Sequence, residues 1–383
     1  MKILFLQNLD DAQGGIVTVN KTLAEVFLAQ GDQVIFLSLR HSRTHSDIVY
    51  PSGAETILID GERVWGCPRL STALAYCRKG RIGSALRVVG ERIRYNHWMQ
   101  KDLRACRERL EALCPDIIIN SHYELLDAVP PPLLPRTVNH FHTSFDQVGK
   151  IRSYRKTFQQ YRDKLGRFVW LSESSCQAAK QAGIPNSCYI YNPLSFSSER
   201  QADPSVHKAV FIGRFSAEKP LALALEQFQA AVTREDLADW ELDVYGIGAL
   251  DEKLLQTMER HPRIHYRGST DDPRQVLLDH SLFLMTSSFE GMALVILEAN
   301  ECGVPVIAFR FGETAEEEIQ NGQTGVLVGQ DDFESYQREL CALMRDEKRR
   351  AELGNQAKQF AAQFRADAIG RQWYRLFAEI RES

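Results

Sequence analysis

Ser287 to Phe309 reads SSFEGMALVILEANECGVPVIAF, and the order of its breaks and apolar runs decides the fold class. The stretch SLFLMTS, Ser281 to Ser287, leads into it and is short and apolar, the pattern of a buried strand. Glu290-Gly291 breaks that run. Met292, Leu294, Val295, Ile296 and Leu297 then open a helix that ends at Gly303, a good residue just past a helix end, with Pro305 beyond it as a stop. Val306 to Phe309 forms the next strand. Strand, tight turn, helix, strand is a βαβ unit, and its first turn stands at the carboxyl edge of a parallel sheet.

Glu290 and Glu298 lie in that turn and helix with seven residues between them. The backbone N–H groups of Gly291, Met292, Ala293 and Leu294 are the unpaired donors of a first helical turn, a ready place for a phosphate. A carboxylate on either side of such an anion would accept hydrogen bonds from hydroxyls, and a diphosphate with a sugar at each end meets that description. The same two acids also read as a charge complementing the helix dipole (Glu290) and a solvated helix residue (Glu298).

Ser287, Glu290-Gly291-Met292-Ala293-Leu294, Leu297-Glu298-Ala299, Gly303 and Pro305-Val306-Ile307-Ala308 closely resemble the Glu-x7-Glu signature of the retaining, nucleotide-sugar-dependent glycosyltransferases of family 4. That pattern runs S-x-x-E-G-F-G-L-x-x-L-E-A-x-x-x-G-x-P-V-I-A. Met292 and Ala293 depart from its Phe and Gly. The resemblance extends over most of the C-terminal half. It implies an α/β protein of the GT-B fold: two Rossmann-like α/β/α domains facing across a cleft, with a C-terminal helix returning to the first domain.

Composition agrees with such a protein. At 383 residues the chain suits two domains, and its 44% hydrophobic and 25% charged content describes a soluble globular protein. A net charge of -4 argues against a general nucleic-acid binder. The eight cysteines are scattered with no Cys-x-x-Cys pair, so neither a disulfide framework nor a zinc site is expected, and a reducing cytosol is the expected compartment. MKILFLQ is too short for the apolar core of a signal peptide, and no apolar run approaches the ~18 residues of a spanning helix.

Along the chain, Lys2 to Gln7 reads as a strand and Asn8 to Gly15 as a loop ending Gln13-Gly14-Gly15. A helix up to Gly31 follows, then a strand over Val34 to Leu39. Gly14-Gly15 lets backbone approach a ligand at a helix start. It is not the GxGxxG fingerprint, which sets a dehydrogenase aside. The resemblance places this loop beside the acceptor and the donor phosphates. Between Tyr76 and Arg109 the charge is strongly positive; Ile82, Leu86, Val89 and Ile93 form one helical stripe flanked by Arg81, Arg87, Arg92 and Arg94, with Trp98 after it. This segment reads either as a core-packed helix with a solvated basic face or as a membrane-surface element. After a strand over Thr137 to Phe141 come His140-Phe141-His142-Thr143-Ser144, where the resemblance gives His142, rather than His140, contact with the donor sugar. A strand over Phe168 to Ser172 leads to a helix starting at Ser174-Ser175.

Ile190-Tyr191-Asn192-Pro193 resembles the end of the family's first domain, and the polar stretch from Ser195 to Lys208 reads as a linker. The expected division is residues 1–194 as the acceptor-binding domain, 195–365 as the nucleotide-sugar-binding domain, and 366–383 as a helix packing back on the first. Ala209 to Ile212 then runs into Gly213-Arg214-Phe215-Ser216-Ala217-Glu218-Lys219-Pro220, similar to the family's G-R-L-x-x-E-K-G loop. Two cations five apart after a strand can converge on one diphosphate, Arg as a fork and Lys as a point charge. Gly246-Ile247-Gly248 is like the family's Y-G-x-G turn, and Ile264 to Gly268 resembles the strand and loop beside the nucleotide base. Gly312 to Ile319, GETAEEEI, is similar to G-G-x-x-E-I, with Glu316 or Glu317 read as the acidic position.

Departure of a nucleoside diphosphate leaves negative charge that must be stabilised. Arg214, Lys219 and the helix-mouth amides would do this without a metal, since Asp10-Asp11, Asp271-Asp272 and Asp331-Asp332 look like turns and no Asp-x-Asp motif stands at a strand end. Glu290, His142, Arg214 and Lys219 are the expected catalytic residues. The expected donor contacts are Arg214, Lys219, Glu290, Gly291, Met292, Ala293, Leu294, Glu298, Gly15 and Gly268. Gly14, Gly15 and His142 would meet the acceptor. The expected substrates are a nucleoside diphosphate sugar, UDP-linked by preference, and a saccharide or lipid-linked acceptor of the cell envelope; no cofactor and no nucleic acid are expected. A sugar-nucleotide epimerase of related fold carries different motifs, and a phosphorylase would need a cofactor-lysine segment that is missing. An inactive nucleotide-sugar-binding subunit would have eroded a site set that here is whole.

Overall fold

The computed structural model describes residues 1–10, 14–41, 49–60, 70–216, 219–248, 250 and 252–382. The first half opens with β1 (Lys2–Asp10), α1 (Gly15–Ala29), β2 (Gln33–His41) and β3 (Glu55–Asp60). Next come α2 (Leu70–Arg78) and α3 (Ile82–Leu113), then β4 (Ile117–Asn120) and β5 (Thr137–His140). The half closes with α4 (Phe145–Val148), α5 (Arg152–Tyr161), β6 (Arg167–Trp170), α6 (Glu173–Gln181) and β7 (Ser187–Tyr189). Its strands form one parallel sheet in the order β3-β2-β1-β4-β5-β6-β7.

The second half repeats the plan. It contains β8 (Lys208–Ile212), α7 (Leu221–Val232), β9 (Glu241–Tyr245), α8 (Glu252–Arg260) and β10 (Ile264–Gly268). It continues through α9 (Pro273–Leu278), β11 (Leu282–Met285), α10 (Leu294–Glu301), β12 (Val306–Phe309), α11 (Ala315–Glu318) and β13 (Gly325–Val328). The order β10-β9-β8-β11-β12-β13 is again all parallel. Parallel sheets covered by helices on both faces need strands that are apolar throughout. The LFLM of β11 and the VIAF of β12 are buried at every position for that reason, as is the IIIN of β4, whose one polar residue, Asn120, donates to Asn139 Oδ1 at 2.7 Å. Strand order reverses between β1 and β4 in one sheet and between β8 and β11 in the other, and a crevice for ligands opens at each reversal.

After β13 come α12 (Phe333–Arg345), α13 (Glu347–Ala361) and α14 (Ala366–Glu382). Ile369, Trp373, Leu376, Phe377 and Ile380 recur at helical spacing and bury one face of α14. That face packs on Phe5, Phe27 and Phe36 of the first sheet's layer, so the last helix does return to the first domain. Gly370 permits the approach, since a Cβ there would lie 2.5 Å from Val26 Cγ1. Met292, Leu297, Phe364, Leu171 and Leu194 make a smaller apolar cluster at the seam between the halves.

The basic segment folds as the α2–α3 hairpin. Leu103, Cys106 and Leu110 in the second half of α3 are buried against the sheet, whereas Ile82, Leu86, Val89 and Ile93 in its first half are exposed. The core-packed reading of that stripe is therefore wrong: a 32-residue helix, ~48 Å long, outruns the sheet that covers it. Among the described residues no helix is long and apolar enough to cross a membrane, and the cysteines described are all free.

Candidate active site

At the end of β8 the chain turns through Gly213-Arg214-Phe215. The Gly213 N–H donates to the Tyr245 carbonyl (3.1 Å) and that of Phe215 to the Ile247 carbonyl (2.9 Å), which fixes the loop against the glycine turn after β9. Ala217 and Glu218 lie outside the described residues, as do Asp11 and Gln13 of the first loop. Lys219 and Pro220 re-enter beside the end of β11, where Thr286 Oγ1 donates to the Pro220 carbonyl (3.0 Å). Lys219 Nζ lies 2.7 Å from Glu290 Oε1, and Ser287 Oγ donates to the same oxygen at 2.8 Å. Two motifs some seventy residues apart thus meet at the strand-order reversal. Arg214 is exposed on the same loop.

The helix α10 begins at Leu294, later than Met292 as expected from sequence, because Gly291-Met292-Ala293 form a turn ahead of it and Met292 is drawn into the interdomain cluster. The expected row of open amides is also interrupted. The Ala293 N–H donates to Glu318 Oε2 at 2.8 Å, so that donor is already satisfied. Glu318 is fully buried, and burial, reinforced by the charge of Glu290, pushes its carboxyl up to about 8. Of the three acids in the Gly312–Ile319 segment it is Glu318 that reaches the mouth of α10, while Glu316 pairs with Arg310 and Glu317 turns to the first amides of α6.

Glu298 is no solvated helix residue. It faces the linker, accepts a hydrogen bond from Ser195 Oγ at 2.9 Å, and is pushed up to about 7 by burial.

The first domain meets this surface at Gly291. A Cβ there would lie 2.8 Å from the His142 carbonyl oxygen and 2.9 Å from Thr143 Cα, so only glycine allows the contact. His142 stands just past β5 with its Nε2 buried and without a hydrogen-bond partner. Its ring lies 4.3 Å from that of His140, which is buried within β5 and meets the edge of Trp373 from α14. Burial holds the three imidazoles of this edge neutral: His122 falls to about 4, His140 to about 3, and His142 well below its ordinary value, with His140 and His122 adding to the effect there.

Gly15, the first residue of α1, faces Leu294 across the cleft, its Cβ position 3.7 Å from Cδ1. Gly14 has no described residue within 4 Å of its Cβ position. Gly268 does not join the cluster: it ends β10 at φ +75°, with β9 and β8 between it and β11. Among the described residues no group of three His, Cys, Asp or Glu side chains is arranged to hold a metal.

A second bridge between the domains escaped the sequence reading. Glu317 accepts from the N–H groups of Glu173 (2.8 Å) and Ser174 (3.0 Å), from Ser174 Oγ (2.6 Å) and from Tyr191 Oη (3.0 Å). Glu313 takes Ser175 Oγ at 2.8 Å. A carboxylate on the first amides of α6 satisfies both the unpaired donors and the helix dipole. The acid-rich GETAEEEI run carried the signal, but its partners lie in the other half of the chain.

Residues 206–346, the second sheet with its strand-end loops, match the family described as Glycosyl transferases group 1. The chain carries a group 1 glycosyltransferase domain. Its relatives include a poly(glycerol-phosphate) alpha-glucosyltransferase of Bacillus subtilis, 25% identical over 55% of this chain and 32% of its own. An exopolysaccharide phosphotransferase of Streptomyces coelicolor is 30% identical over 55% of this chain and 22% of its own. The chain thus spans a third or less of the length of these two relatives. In fold, the glycosyltransferase domain and its partner domain together superpose on TarM of Staphylococcus aureus, solved with Fondaparinux, alpha-GlcNAc-glycerol and UDP. The TM-score is 0.74 at 14% identity, covering 98% of this chain and 100% of that one.

Proposed function

We propose that this chain is a retaining glycosyltransferase of cell-envelope glycan synthesis. It would move a hexose or N-acetylhexosamine from a UDP-sugar to a saccharide or lipid-linked acceptor, working in the cytoplasm at the inner face of the membrane. The observation that carries the reading is the Lys219–Glu290 pair at the mouth of α10, held against the His142 loop by the contact at Gly291. The alpha-glucosyltransferase activity of the Bacillus relative and the UDP bound by TarM support the reaction class and the base.

In this reading the bond from the sugar's anomeric carbon to the diphosphate breaks, and negative charge builds on the leaving group. Arg214 and Lys219 neutralise it, Lys219 turning from Glu290 to the phosphates, in a preorganised low-dielectric cleft and without a divalent cation. Glu290 then accepts hydrogen bonds from donor-sugar hydroxyls, and Glu298 exchanges Ser195 for the ribose. His142, held neutral, offers the sugar a hydrogen bond instead of a charge. The acceptor hydroxyl attacks from the face the diphosphate leaves, and the phosphate takes its proton. The site is complete only with both domains together.

Thermal stabilisation by a panel of nucleotides and nucleotide sugars, with and without EDTA, tests this. A UDP-selective shift that survives EDTA is expected; ligand at ~100 times its dissociation constant adds ~2.7 kcal/mol. A cooperative melt that no nucleotide moves would instead favour an inactive subunit.

A further inference from the structure

We infer that the α2–α3 hairpin is a docking surface for an anionic lipid bilayer. Ile82, Leu86, Val89 and Ile93, at steps of four, three and four, fall on one narrow face of α3. Three of them are about two-thirds exposed, at 65%, 66% and 66% for Ile82, Leu86 and Ile93, and Leu74 of α2 adds a fifth exposed apolar side chain. In this half of the helix only Ala85 is buried, so the stripe is not the edge of a core. An uncovered row of large aliphatic side chains of this kind marks an interaction site.

Charge selects the occupant. Residues 70–101 hold seven Lys and Arg against Glu91 alone, in a chain whose net charge is -4. At helical spacing Arg81 and Arg92 border one side of the stripe, and Arg87, Arg94 and Lys101 the other. Glu91 falls on the opposite pole and pairs with Arg87 at 3.2 Å. The Arg81 guanidinium lies over Tyr76 and that of Arg94 over Trp98, aromatic rings suited to the headgroup layer. Apolar centre, basic borders and acid only at the far pole is the section of a helix lying in an anionic lipid surface, its cationic heads reaching outward to the phosphates. A second copy of the hairpin would bring like charges face to face.

The hairpin is also placed for use. α3 ends beside the amino edge of the sheet, where Lys2 Nζ donates to the Leu113 carbonyl at 2.8 Å. As a crossover helix it runs against the strands, so its exposed first half, ~24 Å, lies toward the carboxyl edge that carries His142. The role rests on the glycosyltransferase reading, since docking there would bring a lipid-linked acceptor to the cleft; the physics does not.

Co-sedimentation of the full chain with vesicles of phosphatidylcholine alone, and of phosphatidylcholine with phosphatidylglycerol, tests the inference. Binding to the mixed vesicles only, lost at high salt, is expected. Arg81→Gln with Arg92→Gln and Arg94→Gln should weaken it on the order of fivefold per cation removed, about a hundredfold together. Leu86→Ser with Ile93→Ser should abolish it while melting and the response to nucleotide stay unchanged, because both side chains are exposed. No binding to either vesicle, or equal binding to both, overturns the inference. So does a dimer seen by sedimentation that the Leu86→Ser, Ile93→Ser variant dissolves while vesicles stay unbound. Vesicle binding without any nucleotide response would leave this surface standing and remove the proposed activity alone.

Discussion

Glu290 receives Lys219 and Ser287 on the same carboxylate oxygen, and its neighbours are loops with little packing to lose. Replacing it with Ala should therefore separate chemistry from stability. We expect kcat/KM for transfer to fall by about 10²–10³, the usual cost of a lost transition-state contact. The melt should fall only modestly, by about 1–3 kcal/mol of stability, because Lys219 is open enough to turn to water once the largely buried carboxylate is gone. Near-normal turnover in Glu290→Ala would remove the site assignment. The meeting of the Lys219 loop with Glu290 was legible in the sequence because each motif is local in its spacing. The surroundings of Glu298 and Glu318 were not. Ser195, a hundred residues upstream, turns Glu298 from a helix-face acid into a buried one, and Glu318 consumes an amide that local spacing left open for phosphate.

Elements were legible to the degree that burial alone dictates them. The apolar runs of β11 and β12 read as buried strands, and the return of α14 to the first domain followed from the family resemblance. The start of α10 was misjudged because Met292 looks like a helix residue but packs on the other domain. The stripe on α3 has the same spacing as a core face, and only the tertiary structure shows that, among the described residues, it stands exposed. The clasp between α11 and α6 was invisible for a related reason, since an acid at a helix start is recognisable only when it belongs to that helix. Glu317→Gln removes the charge from the α6 amides while keeping the shape. Loss of that charge-assisted contact, about 1–2 kcal/mol, should shift the closed–open balance five- to thirtyfold. The expected readouts are a larger radius of gyration by small-angle scattering and a raised KM for donor. A variant with both unchanged would reduce Glu317 to a helix cap. Gly291→Ala should act in the same direction from the other side of the cleft, by wedging a methyl group against His142 and Thr143.

At the scale of the whole molecule, five buried ionisable groups at the two sheet edges set how stability follows pH. Glu298 and Glu318 are raised to about 7 and about 8 from an ordinary 4.5, by burial. The folded state keeps their protons where the unfolded chain has released them. What they contribute is fully present below about 4.5 and is lost as pH rises through about 7 and 8. His122, His140 and His142 are lowered from 6.5, again by burial. Below about 6.5 the unfolded chain takes up protons that these folded imidazoles refuse, so stability falls as pH falls. Between about 4.5 and 6.5 these histidines, with His261 lowered by burial in the same sense, outnumber the two carboxyls, and stability climbs with pH. Above that the carboxyls act alone and the slope reverses. The prediction is a melting temperature that peaks near pH 6.5 and declines towards both sides. Glu318→Gln, neutral at every pH, should flatten the alkaline decline without moving the acid limb. A melting temperature that keeps rising from about pH 6.5 to 8.5 would mean that both buried carboxyls are charged in the folded protein, and an alkaline limb as steep in Glu318→Gln as in the parent would mean that Glu318 is.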